Sequence, residues 1–275
     1  MNYLNALKTG KDKLQQADIA DAATDAELLL MHVCGTERSS RFSHPEYELT
    51  EKEECLYQEL ISKRSSHIPL QHLTGIQYFM GLEFIVDRNV LIPRQDTEIL
   101  VEEVMKDGAA GSSILDICTG SGCIILSLLK YVNESRGIGT DISEAALEIA
   151  RENAEKNDIE AQFIRSDLFD EIEGSFDVIT SNPPYIRSSE ISSLMPEVRD
   201  HDPELALDGG EDGLDFYRKI TAGAAEHLNP GGKLYLEIGF DQGGQVKEMC
   251  LAQGFKDVEV IPDYSGLPRV VKAHI

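Results

Sequence analysis

The sequence predicts an α/β protein: a doubly wound, mostly parallel sheet of seven strands, preceded by a small all-helical domain and joined to it by a β-hairpin. Three observations carry this expectation. From about residue 97 onward, short apolar runs alternate with helix-length segments, the pattern of a parallel sheet with crossover helices. Ahead of residue 78, apolar positions recur at three- and four-residue spacing, the helical period. Between the two regions, Tyr78-Phe79-Met80-Gly81-Leu82-Glu83-Phe84-Ile85-Val86 sets two short apolar stretches about a glycine, as a hairpin does.

Taken in order, helices are expected over 2–16 and 22–34, the second with Ala26, Leu29, Leu30 and Val33 on one stripe. Thr50 followed by Glu53 has capping-box spacing and opens a third helix through Leu56, Leu60 and Ile61, which Pro69 closes. This gives a helical domain at 1–78, a hairpin linker at 79–92 and an α/β domain at 93–275. In the last, strands are expected at 113–117, 136–141, 161–164, 176–181, 232–238, 255–261 and 269–274. Helices fall near 97–106, 121–132, 143–156, 212–228 and 242–253. The polar stretch 186–211 is long for a connection and is expected to be functional.

Composition narrows the function classes. The chain has 275 residues, enough for two domains, and 41% of them are hydrophobic. With 25 basic and 49 acidic side chains the net charge is −24, which argues against a nucleic-acid duplex as substrate, since such binding depends on clustered Lys and Arg. The acidity would steer a basic protein partner, or serve solubility alone. No apolar run is long enough for a bilayer span, and the N-terminus lacks the layout of a signal peptide. The cysteines at 34, 55, 118, 123 and 250 and the histidines at 32, 44, 67, 72, 201, 227 and 274 show no metal spacing. A cytoplasmic protein with reduced thiols and no metal is expected.

The stretch Asp116-Ile117-Cys118-Thr119-Gly120-Ser121-Gly122 ends the first strand of the α/β domain, where open sheets bind ligands. Gly120 and Gly122 would let the backbone pass close to a ligand. A dinucleotide fingerprint needs a further glycine where Ile125 stands, so a diphosphate is disfavoured. Asp116 would repel a diphosphate but could retain a sulfonium cation. Asp141, ending the next strand 19 residues after Gly122, can accept from both ribose hydroxyls of an adenosine. Ser166-Asp167-Leu168-Phe169 follows the third strand, where an adenine needs an apolar wall and an acceptor. Each residue has a plain structural use singly, as turn glycine or helix cap. The set in register points to S-adenosyl-L-methionine.

Asn182-Pro183-Pro184-Tyr185 follows the fourth strand. An amide nitrogen is a poor nucleophile because its lone pair is delocalised into the carbonyl. A catalyst must therefore fix the –NH2 with its lone pair toward the methyl carbon. Asn182 Oδ1 can accept one N–H and the Pro183 carbonyl the other. Pro183 and Pro184 stiffen the segment, and Tyr185 packs against the planar group or closes the pocket. Positioning of this kind can supply roughly 7–11 kcal/mol of a barrier. Methyl transfer onto an amide or amine nitrogen is the expected chemistry.

From about residue 65 the chain resembles a known family, the release-factor glutamine methyltransferases, called PrmC or HemK. The resemblance runs through Pro69 to Gly75, Phe79 to Phe84, Val90-Leu91-Ile92-Pro93-Arg94-Gln95-Asp96-Thr97-Glu98, Asp116 to Gly122, Asn182 to Ile186, Ala206 to Leu214 and Leu236 to Gly239. It implies a class I methyltransferase fold. It also implies S-adenosylmethionine-dependent N5-methylation of the glutamine in the Gly-Gly-Gln loop of bacterial class-1 peptide chain release factors. Cys118, Thr119, Gly120, Ser121 and Gly122, Asp141 with the adjacent Ile142, Asp167, Leu168 and Asn182 would hold the cofactor. Asn182, Pro183, Pro184 and Tyr185 would hold the glutamine, Arg94 and Glu98 would line the substrate entrance, and the helical domain would dock the release factor. The family often has P-R-P-E-T-E over 93–98, and usually has glycine at position 118, where cysteine leaves less room near the methionine moiety.

Four other readings make distinct demands. A sister enzyme acting on a ribosomal-protein glutamine would share every motif and differ only in substrate. An adenine-N6 methyltransferase would need a basic recognition region, whereas residues 1–80 carry 8 basic and 12 acidic side chains. A noncatalytic module on this scaffold would have a damaged turn or no Asn182. A nucleotide-dependent oxidoreductase would have the missing glycine. The internal Gly243-Gly244-Gln245 is expected only to open a helix through Val246 and Met249. A monomer is the default, since the design needs no second subunit.

Overall fold

Side-chain caps and apolar stripes set the first elements in the computed structural model, which describes residues 1–35 and 47–275 (His44 lies outside them). The chain divides into two units, Met1–Ile76 with Met195–His201, and Gln77–Leu194 with Asp202–Ile275. The first unit therefore ends two residues before the expected boundary and takes in part of the 186–211 stretch.

In this unit α1 (Tyr3–Gln16) is capped by Asn2, whose side chain accepts from the Asn5 amide. Helix α2 (Ala22–Cys34) ends on Gly35 in the left-handed region. Helix α3 (Glu51–Arg64) opens on a complete capping box between Thr50 and Glu53. It ends at Arg64, before Pro69, because the next residues turn and Pro69 instead precedes a short helix, α4 (Leu70–Thr74). Leu14, Leu29, Leu30, Tyr57 and Ile61 form the core. The buried Arg64 donates to Asp25 at 2.7 Å and to Glu197 at 3.1 Å, and so ties 195–201 to the helices.

The second unit opens with a hairpin, β1 (Ile76–Phe79) and β2 (Leu82–Ile85). Its turn residues Met80 and Gly81 have φ of 49° and 75°, the primed-turn geometry whose twist suits paired strands. Helix α5 (Gln95–Lys106) precedes a seven-stranded sheet. Its strands are β3 (Ser113–Ile117), β4 (Arg136–Asp141), β5 (Gln162–Arg165), β6 (Phe176–Ser181), β7 (Leu228–Glu237), β8 (Lys256–Pro262) and β9 (Pro268–His274), in the spatial order 5-4-3-6-7-9-8. All neighbours run parallel except β9, which is antiparallel to β7 and β8.

Helices α6 (Cys123–Tyr131), α7 (Glu144–Lys156), α9 (Asp215–His227) and α10 (Gly243–Ala252) complete the doubly wound arrangement, with a short α8 (Pro196–Arg199) in the first unit. Alternate residues of the central strands feed two cores. Ile114, Val178 and Tyr235 meet Leu100 and Val104 of α5 and Ile125 of α6 on one face. Leu115, Ile179 and Leu236 meet Tyr217 and Ile220 of α9 and Val246 of α10 on the other. The chain winds outward from β3 to β5 and then returns to β6 on the other side of β3. The switch point, where such sheets bind ligands, therefore lies between the carboxyl ends of β3 and β6.

Most starts fall within two residues of expectation, and three of the differences have a clear backbone cause. Helix α6 begins at Cys123 because Gly122, at φ 79°, is its cap, and α9 begins at Asp215 because Gly213, at φ 74°, cannot be helical. Strand β7 starts early, at Leu228, by absorbing Pro230 and Gly231 with a register shift against β6. Among the described residues no helix is long and apolar enough to cross a membrane, and no cluster of side chains has a metal-binding arrangement.

Candidate active site

A cleft of about 260 Å³ occupies the switch point. Its floor is the turn after β3, where Cys118, Gly120 and Gly122 all have positive φ, at 58°, 55° and 79°. Glycine suits such positions, so a cysteine at 118 is held in backbone strain by its surroundings. The turn is fastened from β4: the Thr119 amide donates to the Thr140 carbonyl at 2.9 Å, and the Gly120 amide to Asp141 Oδ2 at 2.9 Å. Asp141 Oδ1 accepts from the Ser143 amide at 2.9 Å, which leaves each carboxylate oxygen a further lone pair. Burial raises the Asp141 carboxyl above its ordinary range, while the amides of Ser143, Gly120 and Ile142 oppose that rise.

Of the residues expected at the cofactor, Cys118, Thr119, Gly120, Ser121, Asp141, Ile142, Asp167, Leu168 and Asn182 all line this cleft. A Cβ built on Gly120 would meet no protein atom within 4 Å. Asp116 and Gly122 are not part of its wall. Asp116 is fully buried beneath the turn, where it accepts from the hydroxyls of Thr119 at 2.6 Å and Thr180 at 2.8 Å. Burial pushes its carboxyl up to about 7. It braces the turn and does not face a ligand. Gly122 serves packing, since a Cβ there would lie 3.2 Å from Leu126 Cδ1 and 3.3 Å from Ala150 Cβ.

The expected substrate residues divide in the same way. Arg94, Asn182 and Pro184 line the cleft, and Pro183 is buried between the last two. Arg94 is paired with the buried Asp202 at 2.7 Å. Glu98 is turned to the hairpin, where it accepts from the Met80 amide at 2.6 Å, so it organises a turn and not an entrance. Tyr185 is half-buried against the core under α9, and burial raises its phenol well above the ordinary value.

The asparagine-proline segment is held from behind by residues to which the sequence alone assigns no role. Asn182 Nδ2 donates to Thr97 Oγ1 at 3.3 Å. The 207–210 loop runs alongside: the Ile186 amide donates to the Leu207 carbonyl at 3.0 Å and the Gly209 amide to the Ile186 carbonyl at 2.8 Å. The buried Gln242 ties three stretches of chain together. Its Nε2 donates to the carbonyls of Tyr185 at 2.9 Å and Gly213 at 3.1 Å, and its Oε1 accepts from the Gly239 amide at 2.9 Å. The block Ala206 to Leu214 is thus a buttress for the grip. Gln242→Leu would leave these groups buried and unpaired, at about 1–3 kcal/mol each. The expected outcome is a fall of at least about 2 kcal/mol in denaturant unfolding, with activity lost alongside.

The Gly243-Gly244-Gln245 tripeptide opens α10. Gly243 is needed there for close packing, because an added Cβ would lie 2.9 Å from Val260 Cγ1.

An open α/β sheet with a cleft at its switch point and an Asn-Pro-Pro-Tyr segment beside it defines a class I methyltransferase. Residues 94–197 match the family model described as the methyltransferase small domain. A methyltransferase of known structure from Pyrococcus furiosus shares the fold, with a TM-score of 0.56 over 70% of this chain and 89% of that one at 24% identity. The chain belongs to the release factor glutamine methyltransferase family. The Agrobacterium fabrum relative of that name is 41% identical, covering 96% of this chain and 94% of its own. The Moorella thermoacetica relative is also 41% identical, covering 100% and 99%. Residues 5–75 match the PrmC N-terminal domain.

Proposed function

We propose that this protein methylates N5 of the glutamine in the Gly-Gly-Gln loop of bacterial class-1 peptide chain release factors, with S-adenosyl-L-methionine as donor. The relatives named above carry that substrate class in their names. The observation that carries the chemistry is the orientation of Asn182. Its NH2 end is engaged by Thr97, which leaves Oδ1 to accept an N–H from the substrate amide in the cleft that Asn182 lines. The main-chain carbonyl of Pro183 accepts the second N–H, and Pro184 and Tyr185 bound the planar group.

The cleft fits the donor by its chemistry. Asp141 and Asp167 offer carboxylates suited to a cation and to ribose hydroxyls, Ile142 and Leu168 offer apolar surface, and Gly120 offers backbone without a side chain. When bound, S-adenosylmethionine supplies a methyl group already activated on a sulfonium. The protein's own part is to hold the amide nitrogen in line and keep the pocket dry; the proton can leave after methylation, so the scheme needs no dedicated base. Arg94, which lines the cleft, would meet the substrate at its entrance. In this reading the helical residues 1–78 dock the release factor, 79–92 link, and 93–275 carry out transfer. In this reading the protein acts as a monomer in the cytoplasm, on a protein substrate and without nucleic acid or membrane.

The test uses purified protein, labelled S-adenosylmethionine and an unmethylated class-1 release factor, with peptide mass mapping. One added methyl on the Gly-Gly-Gln glutamine is expected. Cofactor binding without transfer to that residue would reject the substrate and turn attention to ribosomal proteins.

A further inference from the structure

A carboxylate stands behind the grip without a role in the scheme above. Glu237 ends β7 and is 2% exposed. The parallel register sets Ser181 of β6 beside Leu236 of β7, so Asn182 and Glu237 leave adjacent strands side by side. Glu237 Oε2 is buried with no hydrogen-bond partner among the described residues. Thr97, buried in the first turn of α5, completes the group by accepting from Asn182 Nδ2.

A hydroxyl both donates and accepts, so Thr97 by itself tolerates either flip of an asparagine amide. An ionised carboxylate only accepts. With the Thr97 proton turned to the free Glu237 oxygen, the Thr97 lone pairs would remain for Asn182, and the asparagine would have to turn its NH2 end inward. Resting on the reading that Asn182 Oδ1 accepts from the substrate amide, we propose that Glu237 is a positioning residue that, with Thr97, fixes the flip of Asn182 so that Oδ1 faces the glutamine.

The ionisation of Glu237 agrees with this arrangement. Burial pushes its carboxyl up to about 7, while the nearby side chains of Thr97, Arg269 and Asn182 favour the charged form. The other groups facing it are Asp96 of α5, the phenols of Tyr185 and Tyr217, and the Cys123 thiol. Arg269 is itself paired with Asp96 at 3.0 Å and Asp263 at 3.2 Å. Because the charged form is the one required, activity should rise with pH through the neutral region and fall below it.

The experiment compares wild type, Glu237→Gln, Thr97→Val and the double variant, each as the full chain, with S-adenosylmethionine and an unmethylated class-1 release factor on both sides of neutral pH. Glu237→Gln is expected to lower kcat by about 10- to 100-fold, with KM and cofactor affinity little changed. The acid limb of the wild-type kcat profile should disappear in it. Thr97→Val should lose the same limb, and the double variant should be no worse than the poorer single one. A merely structural role would leave the limb in place. Wild-type kcat and limb in Glu237→Gln, or losses that multiply in the double variant, would overturn the proposal. Should Glu237→Gln fail to bind cofactor, Thr97→Val decides by the same limb. A wild-type protein that transfers nothing to the release factor would instead reject the substrate reading.

Discussion

Replacing Asn182 with alanine is expected to leave cofactor binding intact and to lower kcat by about 100- to 1000-fold, the range seen when one oriented hydrogen-bonding group at a reacting centre is lost. The argument is geometric. Asn182 is held by Thr97 at the end of a buried strand, and alanine removes the side-chain acceptor proposed for the substrate amide. The Pro183 carbonyl would remain, so the glutamine could still bind by one N–H but would swing about it. The remaining cleft residues, from Cys118 to Ser121 with Asp141 and Asp167, are untouched. Calorimetry with S-adenosylmethionine and single-turnover transfer to a release factor separate the two effects. A variant with near-normal turnover would place the grip elsewhere.

The second large effect is expected at Gly209. A Cβ there would lie 2.7 Å from Tyr185 Cα and 2.9 Å from the Pro184 carbonyl oxygen. These are main-chain atoms of the grip, which cannot rotate away as a side-chain tip can. Gly209→Ala must therefore push the asparagine-proline segment or open the loop beside it, breaking the paired bonds between Ile186 and the 207–209 stretch. Overpacking of this kind costs about 1–3 kcal/mol, which corresponds to a Tm lower by about 2–12 °C. A displacement of the acceptors by even a fraction of an ångström should lower kcat by about 100-fold. Gly244→Ala is the control, because an added Cβ there meets nothing within 4 Å. Thermal melts and transfer rates for both variants give the comparison, and a Gly209→Ala protein matching the control in both would remove the buttress from the account.

Much of the fold can be read in the sequence because short β-prone stretches alternate with helix-length segments between glycine turns, and the two central ones are buried almost throughout. Strands 113–117, 136–141 and 176–181 fall where they are expected. Boundaries at Gly122 and Gly213 were less legible, because periodicity does not report a positive φ. In the site, the residues at successive strand ends come together as register requires. Asp116 is the exception: on a strand with no exposed face, its position near a strand end did not tell whether it faced ligand or core. Glu98 looked available because nothing in its helix accounts for it; its partner, the Met80 amide, is a hairpin away. Gln242 and Gly209 act through main-chain atoms far along the chain, which leaves no local pattern. Their one trace was the glycine-rich block from Ala206 to Leu214, visible as a motif but not as a support.

The division of the grip between a side chain and a main-chain carbonyl bears on how inactive alleles can arise. The acceptor at Asn182 is encoded by one codon and can be erased by a single replacement. The carbonyl of Pro183 belongs to the backbone, and no missense change can delete it. Damage to that half can come only indirectly, by moving the peptide that carries it. A saturation screen for lost activity should therefore recover hits at 182 itself but, for the neighbouring acceptor, scatter them over Gly209, Gly213 and Gln242, outside the Asn-Pro-Pro-Tyr motif in the chain and packed against it in space.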